Sequence, residues 1–201
     1  DYSAHAVGRD ALALIEHLEA NSAVILGNSF AAGAALWAAH DAPTRVGGVV
    51  LLGPIVRDLK ASWFAMLALK LGFAEPWRVW FWTIYWNSLF PTHKPADQGR
   101  VKTAIMENLR EPGRITALQT MIGLSKAETT AILSRSRVPA LVVMGTLDPD
   151  FPDAETEAQW LATQLQAKCL IIDCAGHYPH TEMPERVAPE LLAFIARVHG
   201  H

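Results

Sequence analysis

The sequence is poor in charge, and it contains neither a basic run nor a long uncharged apolar run. Its 201 residues include 17 Lys and Arg against 20 Asp and Glu, which gives a formal charge of -3. Nucleic-acid binding needs a clustered positive surface, so DNA and RNA are excluded as expected partners. The most apolar stretch, residues 63–90, is interrupted by charged residues and a proline, and this excludes a membrane-spanning helix.

Cysteine is also scarce, since the chain has only Cys169 and Cys174. They lie five positions apart in a run typical of a strand, where an odd offset directs side chains to opposite faces, so we expect no disulfide between them. A reducing compartment, and hence a cytoplasmic location, is the simplest expectation. We expect neither a metal nor a cofactor. Because the first residue is Asp1 rather than methionine, any cleaved targeting segment would lie outside the sequence.

Short apolar runs alternate with helical patterns, which predicts a parallel, doubly wound α/β sheet. Each of the four runs is followed at once by Gly or Asp, as expected for strands buried on both faces: Ala23 to Leu26, Val49 to Leu52, Ala140 to Met144 and Cys169 to Ile172. Three apolar stripes at helical spacing accompany them: Val7, Ala11, Leu14, Ile15 and Leu18; Ala158, Leu161 and Leu165; and Val187, Leu191, Ile195 and Val198. Pro189 is expected near the start of the last helix.

One connection is far longer than a crossover helix needs, because residues 53–139 separate the second and third runs. Its period is helical, so we expect an inserted helical subdomain. The insertion is unusually aromatic: ten of the 17 Phe, Trp and Tyr residues of the chain lie between Trp63 and Phe90.

The first apolar run leads into Gly27-Asn28-Ser29-Phe30-Ala31-Ala32-Gly33, which predicts a nucleophile at a strand-to-helix turn. A serine hydroxyl is a weak nucleophile. A sharp turn lifts it clear of the sheet, and the helix N-terminus that follows is directed at the developing oxyanion. Small residues around Ser29 are a steric requirement of this turn, since the strand and helix backbones approach closely.

An acid and a base candidate follow the third and fourth runs, in loops at the carboxyl ends of their strands. Open parallel sheets form their sites at this edge. Asp148 is the preferred acid over Asp150, while Asp153 is expected to cap the next helix. Among the eight histidines, His177 has this placement and His180 is its only competitor. A neutral imidazole can take the serine proton, and a carboxylate can hold the required tautomer.

The chain resembles the α/β-hydrolase superfamily in the order Ser29, Asp148, His177, in the turn from Gly145, and in the Gly-His-x-Pro-x-x-Glu-x-Pro pattern of residues 176–184. The resemblance implies strands five to eight of the usual eight, a core of residues 1–55 and 136–201, and an inserted helical cap of residues 56–135. It also implies that the Phe30 N–H is an oxyanion donor.

Two features depart from the family pattern. Ala31 stands where the family usually has glycine, a small replacement that the turn should tolerate. Ser29 lies almost at the amino end, whereas the family normally places about four strands and a helix before its nucleophile. We therefore expect the chain to associate with itself, as a homo-oligomer, or with a missing amino-terminal segment.

Ester hydrolysis through an acyl-enzyme is the leading functional interpretation, with a small apolar or aromatic ester as substrate. The Gly27-Asn28-Ser29 turn, or nucleophile elbow, also resembles the corresponding turn in hydrolases of carbon–carbon bonds in ring-cleavage products. Such a hydrolase is an alternative function. Asn28, Trp82 and Trp86 are the expected substrate-binding residues, although the cap aromatics could instead pack the helices together. Two further alternatives are a non-catalytic binding protein on a truncated hydrolase fold and contact of the Trp-rich helices with a bilayer interface.

Overall fold

The computed structural model describes residues 1–59 and 63–200 and contains one parallel sheet of four strands. The strands are β1 (Ala23–Asn28), β2 (Val46–Leu52), β3 (Ala140–Gly145) and β4 (Lys168–Ile172), in the spatial order β1-β2-β3-β4. All four predicted strands are confirmed. The register pairs Val50 of β2 with Leu26 on one side and with Leu141 on the other. The four strand ends therefore share one edge.

Helices cover both faces of the sheet and fill the long insertion. Those of the core are α1 (Ala4–His17), α2 (Ala31–Asp41), α8 (Ala154–Leu165), α9 (Pro179–Glu182) and α10 (Pro184–His199). Between β2 and β3 lie α3 (Trp63–Gly72), α4 (Arg78–Ser88), α5 (Gln98–Arg110), α6 (Arg114–Gly123) and α7 (Ala127–Leu133). The described residues therefore contain an inserted helical segment, while the boundaries 56 and 135 remain a prediction. Within residues 1–59 and 63–200, no helix is both long and apolar enough to cross a membrane.

The apolar strand runs are explained by burial on both faces. Val49 and Leu51 pack in the cluster that includes Leu36 of α2 and Leu161 of α8. Val50 and Leu52 alternate to the other face, with Phe194 of α10.

Asp153 and Pro189 were both expected near the starts of helices. Asp153 is the N-cap of α8, as predicted, and accepts a hydrogen bond from the Thr156 N–H at 2.9 Å. The placement of Pro189 was wrong, because α10 begins at Pro184 and Pro189 lies inside the helix. The Glu-x-Pro end of the preceding motif supplies the proline that starts this helix.

The first helix does not bury its apolar stripe. Ile15 is buried, but Val7, Leu14 and Leu18 are exposed. The reason is a close contact between α1 and α2 at Gly8, where a Cβ atom would lie 2.8 Å from the Ala34 carbonyl oxygen. The small residues of α1 therefore set its buried face.

Candidate active site

Ser29 lies in a strained turn between β1 and α2. Its φ is 57°, in the left-handed region that L-residues rarely adopt. The turn is tight because a Cβ atom on Gly27 would lie 2.3 Å from the Ala31 carbonyl oxygen. The Ser29 N–H donates to the Leu52 carbonyl at 2.9 Å, which ties the turn to the end of β2. This geometry presents the serine at the carboxyl edge of the sheet.

The Phe30 main chain lies between Ser29 and α2. Phe30 is the N-cap of α2 and lines the cavity beside Ser29. No described residue accepts a hydrogen bond from its N–H. A free donor at a helix N-terminus, next to a nucleophile, can stabilise a negative oxygen.

Asp148 and His177 form a buried pair. Their side chains meet at 2.8 Å between Asp148 Oδ2 and His177 Nδ1, and the residues are 3% and 1% exposed. A carboxylate only accepts, so Nδ1 carries the proton and Nε2 remains available as a base. Burial by itself would lower the pKa of His177, but the hydrogen bond to Asp148 and the charges of Asp148 and Asp150 outweigh it, so that pKa is raised.

Asp148 and His177 pack closely against the ends of β1 and β2. Gly53, which follows β2, has a φ of 49°, and a Cβ atom there would lie 3.1 Å from His177 Nδ1 and 3.2 Å from Asp148 Oδ2. Asn28 donates from its amide to the carbonyls of Leu52 at 2.9 Å and His177 at 3.2 Å. No hydrogen bond joins the Ser29 hydroxyl to His177 among the described residues; such catalytic bonds often shorten only when substrate is bound.

Asp150 is a second carboxylate at the same imidazole. Its Oδ2 lies 3.5 Å from His177 Nδ1 and is buried without a hydrogen-bond partner, while Oδ1 accepts the Tyr85 hydroxyl of α4 at 2.6 Å. Burial is the main cause of the raised pKa of Asp150, with the Asp148 charge adding to it. Asp148, Asp150 and His177 offer ligand atoms within 4.8 Å of one another, a spacing that a metal ion could use. His177 Nδ1 is already engaged with Asp148 Oδ2 at 2.8 Å, a contact that would suit an acid–base pair.

The loop that carries His177 is bound to the cap through Glu182. This buried carboxylate accepts the N–H groups of Gly176 at 2.6 Å and of Thr92 and His93, both at 3.1 Å. The His177 N–H donates to the Leu89 carbonyl at 3.0 Å. Sequence reasoning noted Glu182 in a motif without a role, and it overlooked Gly53.

A cavity of about 450 Å³ lies between the sheet edge and the helices inserted between β2 and β3. Ser29, Phe30, Ile55 and Asp150 line it from one side, and the inserted segment contributes Leu69, Phe81, Trp82, Tyr85 and Ile122 among others. Trp82 therefore lies at the cavity, while its role in substrate binding stays a prediction. Trp86 is instead buried against Leu89 and Phe90 and is not among the lining residues.

Among the described residues, no hydrogen bond or ion pair joins His180 to Asp148 or Asp150. His180 Nδ1 is buried without a hydrogen-bond partner, and burial lowers its pKa, with the His177 charge acting in the same direction. The structure therefore brings Ser29, Asp148 and His177 to one edge, and His180 lacks the carboxylate contact that His177 makes.

The chain matches known proteins over nearly its full length. A model of the alpha/beta hydrolase family matches residues 1–190. Two solved structures are similar: 2-hydroxy-6-oxo-6-phenylhexa-2,4-dienoate hydrolase from Rhodococcus sp. strain RHA1, with 19% identity and a TM-score of 0.79, and a thermophilic esterase from Thermogutta terrifontis, with 22% identity and a TM-score of 0.72. The matches cover 97% and 98% of this chain and 73% of each of those chains.

Proposed function

The chain belongs to the alpha/beta hydrolase family, and from that premise we propose that it hydrolyses carboxylic esters of apolar or aromatic character through an acyl-enzyme on Ser29. The main support is the buried Asp148–His177 pair at the sheet edge where Ser29 lines the cavity. A base held by an acid, next to a serine in a strained turn, is the arrangement that acyl transfer requires.

Acylation follows from the roles of these groups. His177 Nε2 takes the Ser29 proton as Oγ bonds to the ester carbonyl carbon, and the Phe30 N–H stabilises the resulting oxyanion. His177 then gives its proton to the alcohol oxygen as the carbon–oxygen bond breaks, which leaves the acyl group on Ser29. Water repeats the sequence: it loses a proton to His177 and attacks the acyl carbon, and the proton returns to Ser29 Oγ as the acid leaves.

The cavity favours an apolar substrate, because Arg57 and Asp58, two of its charged lining residues, already have partners. Arg57 donates to the Glu157 carboxylate, with one contact at 2.9 Å. Asp58 accepts the Ser125 hydroxyl at 2.6 Å and the Lys126 N–H at 2.9 Å, and these bonds lower its pKa. The apolar remainder is rich in aromatic rings, which bind flat or aliphatic groups by burial.

A carbon–carbon bond hydrolase is the second candidate. It is favoured by the Gly27-Asn28-Ser29 elbow and by the similarity to the hydrolase of 2-hydroxy-6-oxo-6-phenylhexa-2,4-dienoate. The two candidates share the serine, acid and base, so they differ in substrate rather than in fold. A non-catalytic binding protein is the third, and it would need no activated serine.

Labelling with a fluorophosphonate separates the binding protein from both enzymes. We expect one label per chain in the native protein and none in Ser29→Ala, because only an activated serine reacts and the substitution removes little packing. Unlabelled, folded native protein would contradict the proposal. Parallel assays of p-nitrophenyl butyrate and of 2-hydroxy-6-oxo-6-phenylhexa-2,4-dienoate then choose between the enzymes, and turnover of the dienoate alone would favour the second candidate.

A further inference from the structure

The outer surface of the cap carries two adjacent rows of exposed apolar side chains. On α3 the row is Trp63, Phe64, Leu67 and Leu71, and on α4 it is Trp77, Trp80 and Ile84. We call these seven residues the aromatic patch. Trp63, Phe64 and Trp80 are 65%, 63% and 64% exposed, so the largest rings face solvent rather than the cap interior.

The two rows meet at the turn between α3 and α4. The Trp77 indole N–H donates to the Leu71 carbonyl at 2.8 Å, which joins the end of α3 to the start of α4. The rings of Trp63 and Phe64 stack with their centroids 3.5 Å apart. Spacings of four join Trp63, Leu67 and Leu71, and Phe64 follows Trp63, while the second row has spacings of three and four. Large apolar side chains concentrated on an exposed surface are typical of an interaction site.

Charge is divided unequally between the cap and the core, and this indicates the kind of surface that the cap would bind. Residues 56–135 contain 11 Lys and Arg against 6 Asp and Glu, a formal charge of +5, whereas the remaining residues contain 6 against 14, a charge of -8. Lys70 lies exposed on α3 itself. A positive cap would be attracted to an anionic lipid surface, and an acidic core would be repelled from it.

Tryptophan is the side chain most suited to the headgroup region of a bilayer, because its ring is apolar and its N–H is polar. We propose that the aromatic patch docks the cap on anionic phospholipid bilayers as a peripheral contact, with α3 and α4 lying in the interface.

Flotation with vesicles tests this surface. The native chain should float with vesicles of phosphatidylcholine mixed with phosphatidylglycerol, bind pure phosphatidylcholine more weakly, and lose affinity for the mixed vesicles as salt is raised. Trp63→Ser with Trp80→Ser should reduce binding to mixed vesicles by about tenfold or more, because two interfacial anchors are lost. Leu192→Ser is the matched control, as Leu192 is 63% exposed on α10, and it should bind like the native chain.

Thermal unfolding by circular dichroism shows whether the double variant is folded, and Phe64→Ser with Ile84→Ser repeats the test on the same two rows. Native protein that does not float, or variants that float equally well, would overturn the proposal. So would a dimer that these substitutions dissociate without any vesicle binding, since the patch would then join two copies of the chain. None of these measurements depends on the chemistry of Ser29.

Discussion

At the scale of single residues, the imidazole of His177 lies beside two carboxyl groups rather than one. His177 faces Asp148 at 2.8 Å and Asp150 at 3.5 Å. Sequence reasoning treated Asp148 and Asp150 as competitors for one role. The structure keeps both at the imidazole, a result of the turn that holds them: the Asp150 N–H donates to Asp148 Oδ1 at 3.0 Å. Spacing along a sequence does not reveal such sharing.

We predict that Asp150→Asn lowers the pH at which activity is lost on the acid side. His177 must be neutral to take the serine proton, so activity falls as pH drops through its raised pKa. Removing the Asp150 charge removes one cause of that raised pKa, and the acid limb of kcat/KM against pH moves to lower pH. Tyr85→Phe should move the acid limb in the same direction by less. The lost hydrogen bond no longer lowers the pKa of Asp150, so Asp150 carries less negative charge and raises the pKa of His177 less. A uniform loss of rate with an unmoved limb would contradict this.

We also predict that His177→Ala removes ester hydrolysis and that His180→Ala does not. Of these two histidines, His177 has the carboxylate contact that fixes a tautomer with a basic Nε2. Steady-state rates on p-nitrophenyl butyrate measure the difference, which for a lost base is expected to be about 100-fold or more. Equal losses in the two variants would leave the base unassigned.

At the scale of elements, the turns at strand ends are set by close backbone approach. A Cβ atom on Gly27 would meet the backbone of Ala31, and one on Gly145 would lie 2.2 Å from the Ala175 carbonyl oxygen. The four strands and the positions of the loops that carry Ser29, Asp148 and His177 could be predicted because strand runs, turn glycines and polar residues are local signals. The exposed face of α1 could not be predicted. Small residues such as Gly8 let α1 approach α2, but in a sequence they give a weaker hydrophobic signal than Leu14 and Leu18, which are exposed.

We predict that Gly27→Ala destabilises the fold by about 2 kcal/mol or more, since the clash is with backbone that no side-chain rotation can relieve. Gly99→Ala is the matched control. Gly99 lies in α5, and no atom lies within 4 Å of a Cβ atom built there. The stability of this variant should therefore be unchanged or slightly higher. Urea unfolding followed by circular dichroism compares the two. Equal midpoints would show that the turn can relax.

Two tryptophans of α4 should behave differently. Trp82→Ala should alter the preference for acyl chain length, because Trp82 lines the cavity. Trp86→Ala should mainly lower stability, by about 3 kcal/mol or more, since it empties a buried position against Leu89 and Phe90. Activity on a series of p-nitrophenyl esters, measured beside thermal unfolding, separates the effects. If Trp86→Ala altered the chain-length preference and Trp82→Ala only lowered stability, Trp86 would have the substrate-binding role expected from the sequence.

At the scale of the whole molecule, the sheet is open at β1. This strand pairs with β2 on one side and with no described strand on the other, and Leu26 is exposed there. Unpaired N–H and C=O groups along such an edge are a template for pairing. The solved structures that match are longer than this chain, which spans 73% of both the dienoate hydrolase and the Thermogutta terrifontis esterase.

We therefore predict that a chain of these 201 residues forms a two-fold dimer through β1 and the exposed residues of α1. A two-fold axis beside an edge strand pairs it with its own copy in antiparallel fashion, so each strand satisfies the other, and the apolar side chains of α1 can be buried in the same contact. Light scattering at micromolar concentration should give twice the 22.0 kDa of one chain. Leu14→Ser with Leu18→Ser should shift the population to monomer, whereas Trp63→Ser with Trp80→Ser, on the cap, should not. A native chain that is monomeric and thermally stable would show that β1 needs no partner. A dimer dissociated only by Trp63→Ser with Trp80→Ser would place the contact on the aromatic patch instead.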